Sequence, residues 1–182
     1  MLRCPHRLVF IRHGETAWNA EGRLQGQEDI PLNPKGRDQA AGAGRILAKW
    51  LKRAGVSADA FDFVASPLQR ARDTMELARG AMGLAPAAYR VDPMLMELSF
   101  GDWQGLTWPE VEARAPVLAA AREADKWGFR PPGGESYDDL ARRMSRWVDA
   151  LRADTVAVAH GGVARALFCL IGGAPRDRAP RM

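Results

Sequence analysis

A chain of 182 residues, 47% apolar and 26% charged, has the make-up of one globular domain rather than a disordered tail or a fibre. The apolar run at 166–171 is far short of the roughly 20 residues a membrane span needs. The formal charge of +4 is scattered, and its densest group, Arg142, Arg143 and Arg146, reads as the solvated face of a helix, which speaks against a nucleic-acid partner.

Residues 1–7 carry charge, but the apolar stretch that follows runs straight into Arg12 and His13, unlike a signal peptide. Cys4 and Cys169 make no disulfide framework and have no partner at metal-ligand spacing. The expected setting is therefore cytoplasmic, with no membrane partner. Residues 7–12 read as a buried strand and 14–34 as a turn-rich stretch. Asn33-Pro34 then opens a helix whose apolar face is Ala43, Ile46, Leu47, Trp50, Leu51 and Ala54, with Gly55 as its stop.

A second strand is expected over 61–65. Ser66-Pro67 caps the helix after it, with Leu68, Ala71, Met75 and Ala78 inward. Residues 88–91 give a weaker strand. Between 93 and 134 the signals mix: an apolar-acidic stretch, a helix around 111–126, then the loop Pro131-Pro132-Gly133-Gly134. Ser136 caps an amphipathic helix with Leu140, Met144, Trp147, Val148 and Leu151 on one face. Residues 155–159 form another buried strand, leading through His160-Gly161-Gly162 into a helix ending at Leu170. This alternation predicts an α/β three-layer sandwich, with a mostly parallel sheet and helices on both faces. One domain is expected over 1–182, with a helical and loop insertion around 93–134 near the active site and a loop-like tail at 173–182.

Ligands of such sheets bind outside the carboxyl ends of the strands. Three of those ends deliver Arg12 and His13, then Ser66 with Arg70 a turn later, then His160. Two of the chain's three histidines and two arginines thus meet on one rim. Arg12-His13-Gly14-Glu15-Thr16, with Trp18-Asn19, resembles the signature of the histidine phosphatase superfamily, which includes the cofactor-dependent phosphoglycerate mutases. Arg23-Leu24-Gln25-Gly26, the run from Ser66 to Thr74, the run from Glu97 to Trp103, and Ala159-His160-Gly161-Gly162 resemble its later segments, in family order.

The resemblance implies that His13 is the nucleophile and is transiently phosphorylated. Arg12, Arg70 and His160 hold the phosphoryl oxygens, Asn19 and the Gly161 N–H assist, and Glu97 gives a proton to the leaving oxygen. Gln25 and Gly26 are expected beside the phosphate. No metal and no cofactor is implied. The chemistry agrees: phosphoryl transfer asks for alignment and positive charge around three oxygens, which arginine supplies as a fork that stays charged. A neutral imidazole can attack phosphorus near neutrality. On chemistry alone the proton donor stays open between Glu97, Asp102 and Glu15. Residues 131–136 read equally as a substrate-side loop or as a connector with an N-cap, and Trp103 reads as packing.

The run Phe100-Gly101-Asp102-Trp103-Gln104-Gly105-Leu106-Thr107 resembles the short phosphatase branch, although Gln104 stands where phosphatases usually have Glu. The longer basic insertion of the mutases is missing. The expected function is a metal-independent phosphatase acting on a small phosphorylated substrate, ahead of a phosphoglycerate mutase. A non-catalytic phosphate-binding module ranks below both, because it need not keep His13, His160, Arg12, Arg70 and Glu97 together. The leaving group stays open among sugar phosphates, phosphoglycerates, a cobalamin-assembly nucleotide and protein phosphohistidine, with 93–134 shaping the choice. Oligomeric state is not legible.

Overall fold

In a computed structural model that describes residue 2 and residues 4–182, four parallel strands form one sheet. They are β1 (Leu8–Arg12), β2 (Asp62–Ala65), β3 (Arg90–Val91) and β4 (Thr155–Ala159), in the spatial order β1-β4-β2-β3. The register places Arg12 beside Ala159 and Ala65 beside Val158, so three adjacent strands end level on one rim.

Every residue of β4 is buried, as an apolar central strand of a parallel sheet requires. Its alternate side chains feed two cores. Val156 and Val158 pack with Leu47, Leu51, Phe63 and Met75, under α2 (Pro34–Ala54) and α3 (Gln69–Ala81). Ala157 and Ala159 pack with Leu140, Met144, Val163 and Leu167, under α6 (Tyr137–Asp149) and α7 (Gly161–Leu170). The three-layer α/β sandwich is thus observed.

The start and stop of α2 are as read: Asn33 Oδ1 accepts from the Gly36 N–H, Pro34 is the first helical residue, and Gly55 is left-handed at φ 63°. Its inner face differs. Leu47 and Leu51 are buried, but Ile46 is 71% and Trp50 42% exposed, and the rest of the buried stripe is Gly36, Ala40 and Gly44. Small residues win that position because α2 lies directly on α3. A Cβ on Gly44 would sit 2.2 Å from the Ala78 carbonyl oxygen.

Ser66 does not cap α3. The helix begins at Gln69, and Asp29, from the distant loop after β1, accepts from the Gln69 N–H at 2.7 Å. The helix expected around 111–126 is two: α4 (Trp108–Arg114) and α5 (Pro116–Ala124). Pro116 has no N–H to continue α4 and pushes Ala115 out of the helical region, to φ −141°, ψ 58°. A short α1 (Ala17–Ala20) stands in the turn-rich stretch. Residues 131–136 act as a connector: Pro132 O accepts from the Asp102 N–H, and Ser136 caps α6. Trp103 is buried, stacked on Phe129.

Two further expectations need correction. The tail is not all loop, for Ala179–Arg181 form a 3-10 turn that buries Ala179 in the core beside α7. Arg143 is not on a solvated face: it is partly buried and donates to main-chain carbonyls of residues 94 and 96. Among the described residues no helix is long and apolar enough to cross a membrane.

Candidate active site

The level strand ends decide what meets at the rim. The His13 N–H donates to Ala159 O at 2.9 Å and the Ser66 N–H to Val158 O at 3.0 Å, which extends the ladder by one residue on each strand. The rings of His13 and His160 then lie side by side, centroids 5.1 Å apart and planes tilted by 59°. His13 Nδ1–H donates to Gly14 O at 2.7 Å. A carbonyl can only accept, so the ring proton sits on Nδ1 and Nε2 keeps its lone pair. Gly14 has no room for a side chain, since a Cβ would lie 2.2 Å from Gly36 O.

His160 is fully buried, with Nε2 2.7 Å from the Ser66 hydroxyl. That hydroxyl also accepts from the Leu68 N–H, at 3.4 Å; where its own proton goes to Nε2, the ring proton sits on Nδ1. Arg70, in the first turn of α3, is also fully buried; its Nη1 and Nη2 donate to the carbonyls of Glu28 and Gly26 at 2.6 and 2.7 Å. Among the described residues, the buried side-chain nitrogens and oxygens without a hydrogen-bond partner are His160 Nδ1 and Arg70 Nε. Arg70 Nε is a donor with nothing to donate to, and Nδ1 is another in the tautomer that accepts from Ser66; a buried polar atom left in that state costs about 1–3 kcal/mol.

Burial, with Arg70 and Arg12 nearby, pushes the His13 pKa down to about 3, against the opposing effect of the Gly14 carbonyl. Burial and then Arg70 and His13 hold His160 well below the ordinary 6.5. Both rings are neutral near pH 7. An unfolded chain protonates both below its ordinary 6.5 while the folded chain does not, so stability is full above that value and is lost as pH falls through it. Going from about pH 7.5 to about pH 5.5 should cost about 1.4 kcal/mol per histidine. Urea unfolding across that window, above the carboxylate range, checks this; a flat profile contradicts it.

A cavity of about 140 Å³ is lined among others by Arg12, His13, Arg70, Glu97, Tyr137 and Gly161, while His160 is not part of its lining and lies against the His13 ring. Asn19 and Gln25 line it too, and buried Thr16 sets both amides. Its N–H donates to Asn19 Oδ1 and its hydroxyl to Gln25 Oε1, at 3.2 and 2.8 Å, so both amide NH₂ groups are left for the cavity. Arg12 is exposed and has no ion pair among the described residues, and its guanidinium lies beside Gly161 at the start of α7. Helix N-termini of this kind favour anions.

Of the three acids, Glu97 alone reaches the cavity. Its Oε2 accepts from the Gly162 N–H at 3.0 Å and its Oε1 from the Leu98 N–H at 2.8 Å. Glu15 is held outside by Asn33 and Lys35, and Asp102 sits against Gly133. Gly26 lines the cavity at φ 54° and also supplies the carbonyl that holds Arg70. Gln104 clamps this loop: its Oε1 accepts from the Gln27 N–H and its Nε2 donates to Glu28 Oε1, at 2.8 and 3.1 Å. A Glu there would face Glu28 with like charge. Sequence reasoning missed the supporting parts of Thr16, Ser66 and Gln104. Thr16 carried a signal, standing three residues before Asn19 as a capping box does.

Known proteins resemble this chain in sequence and in fold. The family model for the histidine phosphatase superfamily (branch 1) matches residues 8–182. A glucosyl-3-phosphoglycerate phosphatase of Mycolicibacterium vanbaalenii is 39% identical over 187 residues, covering 96% of this chain and 77% of the relative. A metal-independent phosphoserine phosphatase of Arabidopsis thaliana is 35% identical, covering 90% and 68%. The solved structure of a mycobacterial glucosyl-3-phosphoglycerate phosphatase in complex with VO3 superposes with a TM-score of 0.78 at 35% identity, covering 97% of this chain and 87% of that one.

Proposed function

The chain belongs to the histidine phosphatase superfamily, and on that premise we propose that it hydrolyses a small phosphomonoester, without a metal, through a phosphohistidine on His13. The observation that carries this reading is the pair of buried nitrogens without a partner, Arg70 Nε and His160 Nδ1, beside an imidazole whose free lone pair is on Nε2. A phosphoryl group placed there gives both nitrogens an acceptor. Arg12, the amides of Asn19 and Gln25, and the Gly161 N–H complete the anion's surroundings.

The His13 Nε2 lone pair attacks phosphorus while the bond to the leaving oxygen breaks. Glu97 gives its proton to that oxygen, so an alcohol departs. Water then attacks the phosphohistidine, Glu97 takes the water's proton, and phosphate and neutral His13 are restored. The two arginines supply fixed charge where the transition state spreads its own, which is why no divalent ion is needed. The named activities of the relatives make phosphorylated hydroxy- and amino-acid compounds, such as glucosyl-3-phosphoglycerate and phosphoserine, the substrates to try first. Glu97, Leu98 and Phe100 line the cavity, and the 93–134 segment that carries them is assigned the choice of leaving group.

Glu97→Gln tests the donor. A p-nitrophenolate leaves as a stable anion and an alkoxide does not, so the variant should lose about 10²–10⁴-fold on alkyl phosphates and far less on p-nitrophenyl phosphate. Equal losses on both would remove Glu97 from proton transfer. Turnover with EDTA present, and no exchange between 2- and 3-phosphoglycerate, is expected throughout. Rapid exchange with slow hydrolysis would make the chain a mutase.

A further inference from the structure

Arg143 reaches from α6 to the segment that carries Glu97. Its Nη1 donates to the carbonyls of Met94 and Met96, both at 2.7 Å, and its Nη2 to Glu135 Oε2 at 3.2 Å. The same carboxylate oxygen accepts from the Ser99 N–H at 3.0 Å, and the Glu135 N–H donates to Ser99 O at 2.9 Å. Gln27 Nε2 donates to the carbonyl of Glu97 itself at 3.0 Å, and lies 3.5 Å from Glu135 Oε2. The main chain on both sides of Glu97 is therefore held from one polar hub. The hub's ion pair is largely shielded, with side chains 16% and 29% exposed, so it is no ordinary surface pair. Among the described residues the Glu97 carboxylate accepts from main-chain groups alone, its neighbour's N–H and that of Gly162, so the course of the main chain sets its aim.

We propose that Arg143 is a positioning residue for proton transfer. By gripping the carbonyls of Met94 and Met96, and through Glu135 the N–H of Ser99, it sets the carboxyl against the leaving oxygen. This rests on the reading of Glu97 as the proton donor. The fork of a guanidinium is what the geometry uses: one nitrogen spans two carbonyls while the other reaches a carboxylate. A lysine ammonium keeps the charge and cannot hold all three in the same directions. Supporting residues of this kind matter where a reacting group must be held to a fraction of an ångström.

The test is leaving-group dependence in Arg143→Lys, Glu135→Gln, Glu97→Gln and the Arg143→Lys/Glu97→Gln double variant. Arg143→Lys should lower kcat on alkyl phosphates by about tenfold or more and on p-nitrophenyl phosphate by less than about twofold. The double variant should be no slower on alkyl phosphates than Glu97→Gln alone. Equal losses of Arg143→Lys on both substrates, or additive losses in the double variant, would overturn the proposal. If Arg143→Lys does not fold, Glu135→Gln decides by the same selective loss or its absence. A Glu97→Gln enzyme with no leaving-group preference sinks the donor reading instead, and so the two failures are told apart.

Discussion

His13→Ala should lower turnover of every phosphomonoester by at least about 10⁴-fold while the protein stays folded. The main-chain bond from residue 13 to Ala159 O survives the substitution, as does the sheet register around it. What is lost is the Nε2 lone pair, together with the Nδ1–H bond to Gly14 O that fixes it. The ring is not a stability asset at mildly acid pH, because the fold keeps it neutral where an unfolded chain would protonate it. The variant should therefore unfold no earlier near pH 5.5 than the native chain, apart from a small cavity cost. Steady-state rates with p-nitrophenyl phosphate, paired with circular dichroism, check both statements. Activity within about tenfold of native would assign the nucleophile to another residue.

Arg70→Ala should be nearly as severe, for two reasons that can be measured apart. Removing a preorganised donor to the developing charge should cost about 10³-fold in kcat/KM, or about 4 kcal/mol. The same change strips the buried carbonyl of Gly26 of its partner, at about 1–3 kcal/mol in folding stability, and frees that of the exposed Glu28 at less cost. Arg70→Lys separates charge from geometry. It keeps one positive charge but cannot hold both carbonyls and present a further N–H to the phosphate, so most of the catalytic loss should persist. Vanadate or phosphate binding should weaken in both variants. Native affinity for these anions in Arg70→Ala would show that the guanidinium does not face them.

The strand ends were legible because β1 and β4 are short apolar runs that stop at Arg12-His13 and at His160. That the two strands are neighbours was not: the pairing joins residues about 147 apart, as Arg7 and Asp154 illustrate, and no local pattern reports it. Ser66 before a helix reads as a cap in any sequence. Only its contact with His160, 94 residues on, makes it a support for the site. The broad apolar face read for α2 lost Ile46 and Trp50 to solvent because periodicity favours large residues, whereas the close approach to α3 favours Gly44. Arg143 looked like one charge in a polar run. Its carbonyl partners lie 49 and 47 residues earlier in the chain.

The covalent step is the centre of this account, and rapid quenching with a substrate carrying radioactive phosphate addresses it directly. Label should appear on the peptide containing His13 within the first turnover, be lost in acid and kept in base, and be absent from His13→Ala. Label on any other side chain, or steady turnover with none trapped on the protein under conditions where water attack is slow, would contradict it.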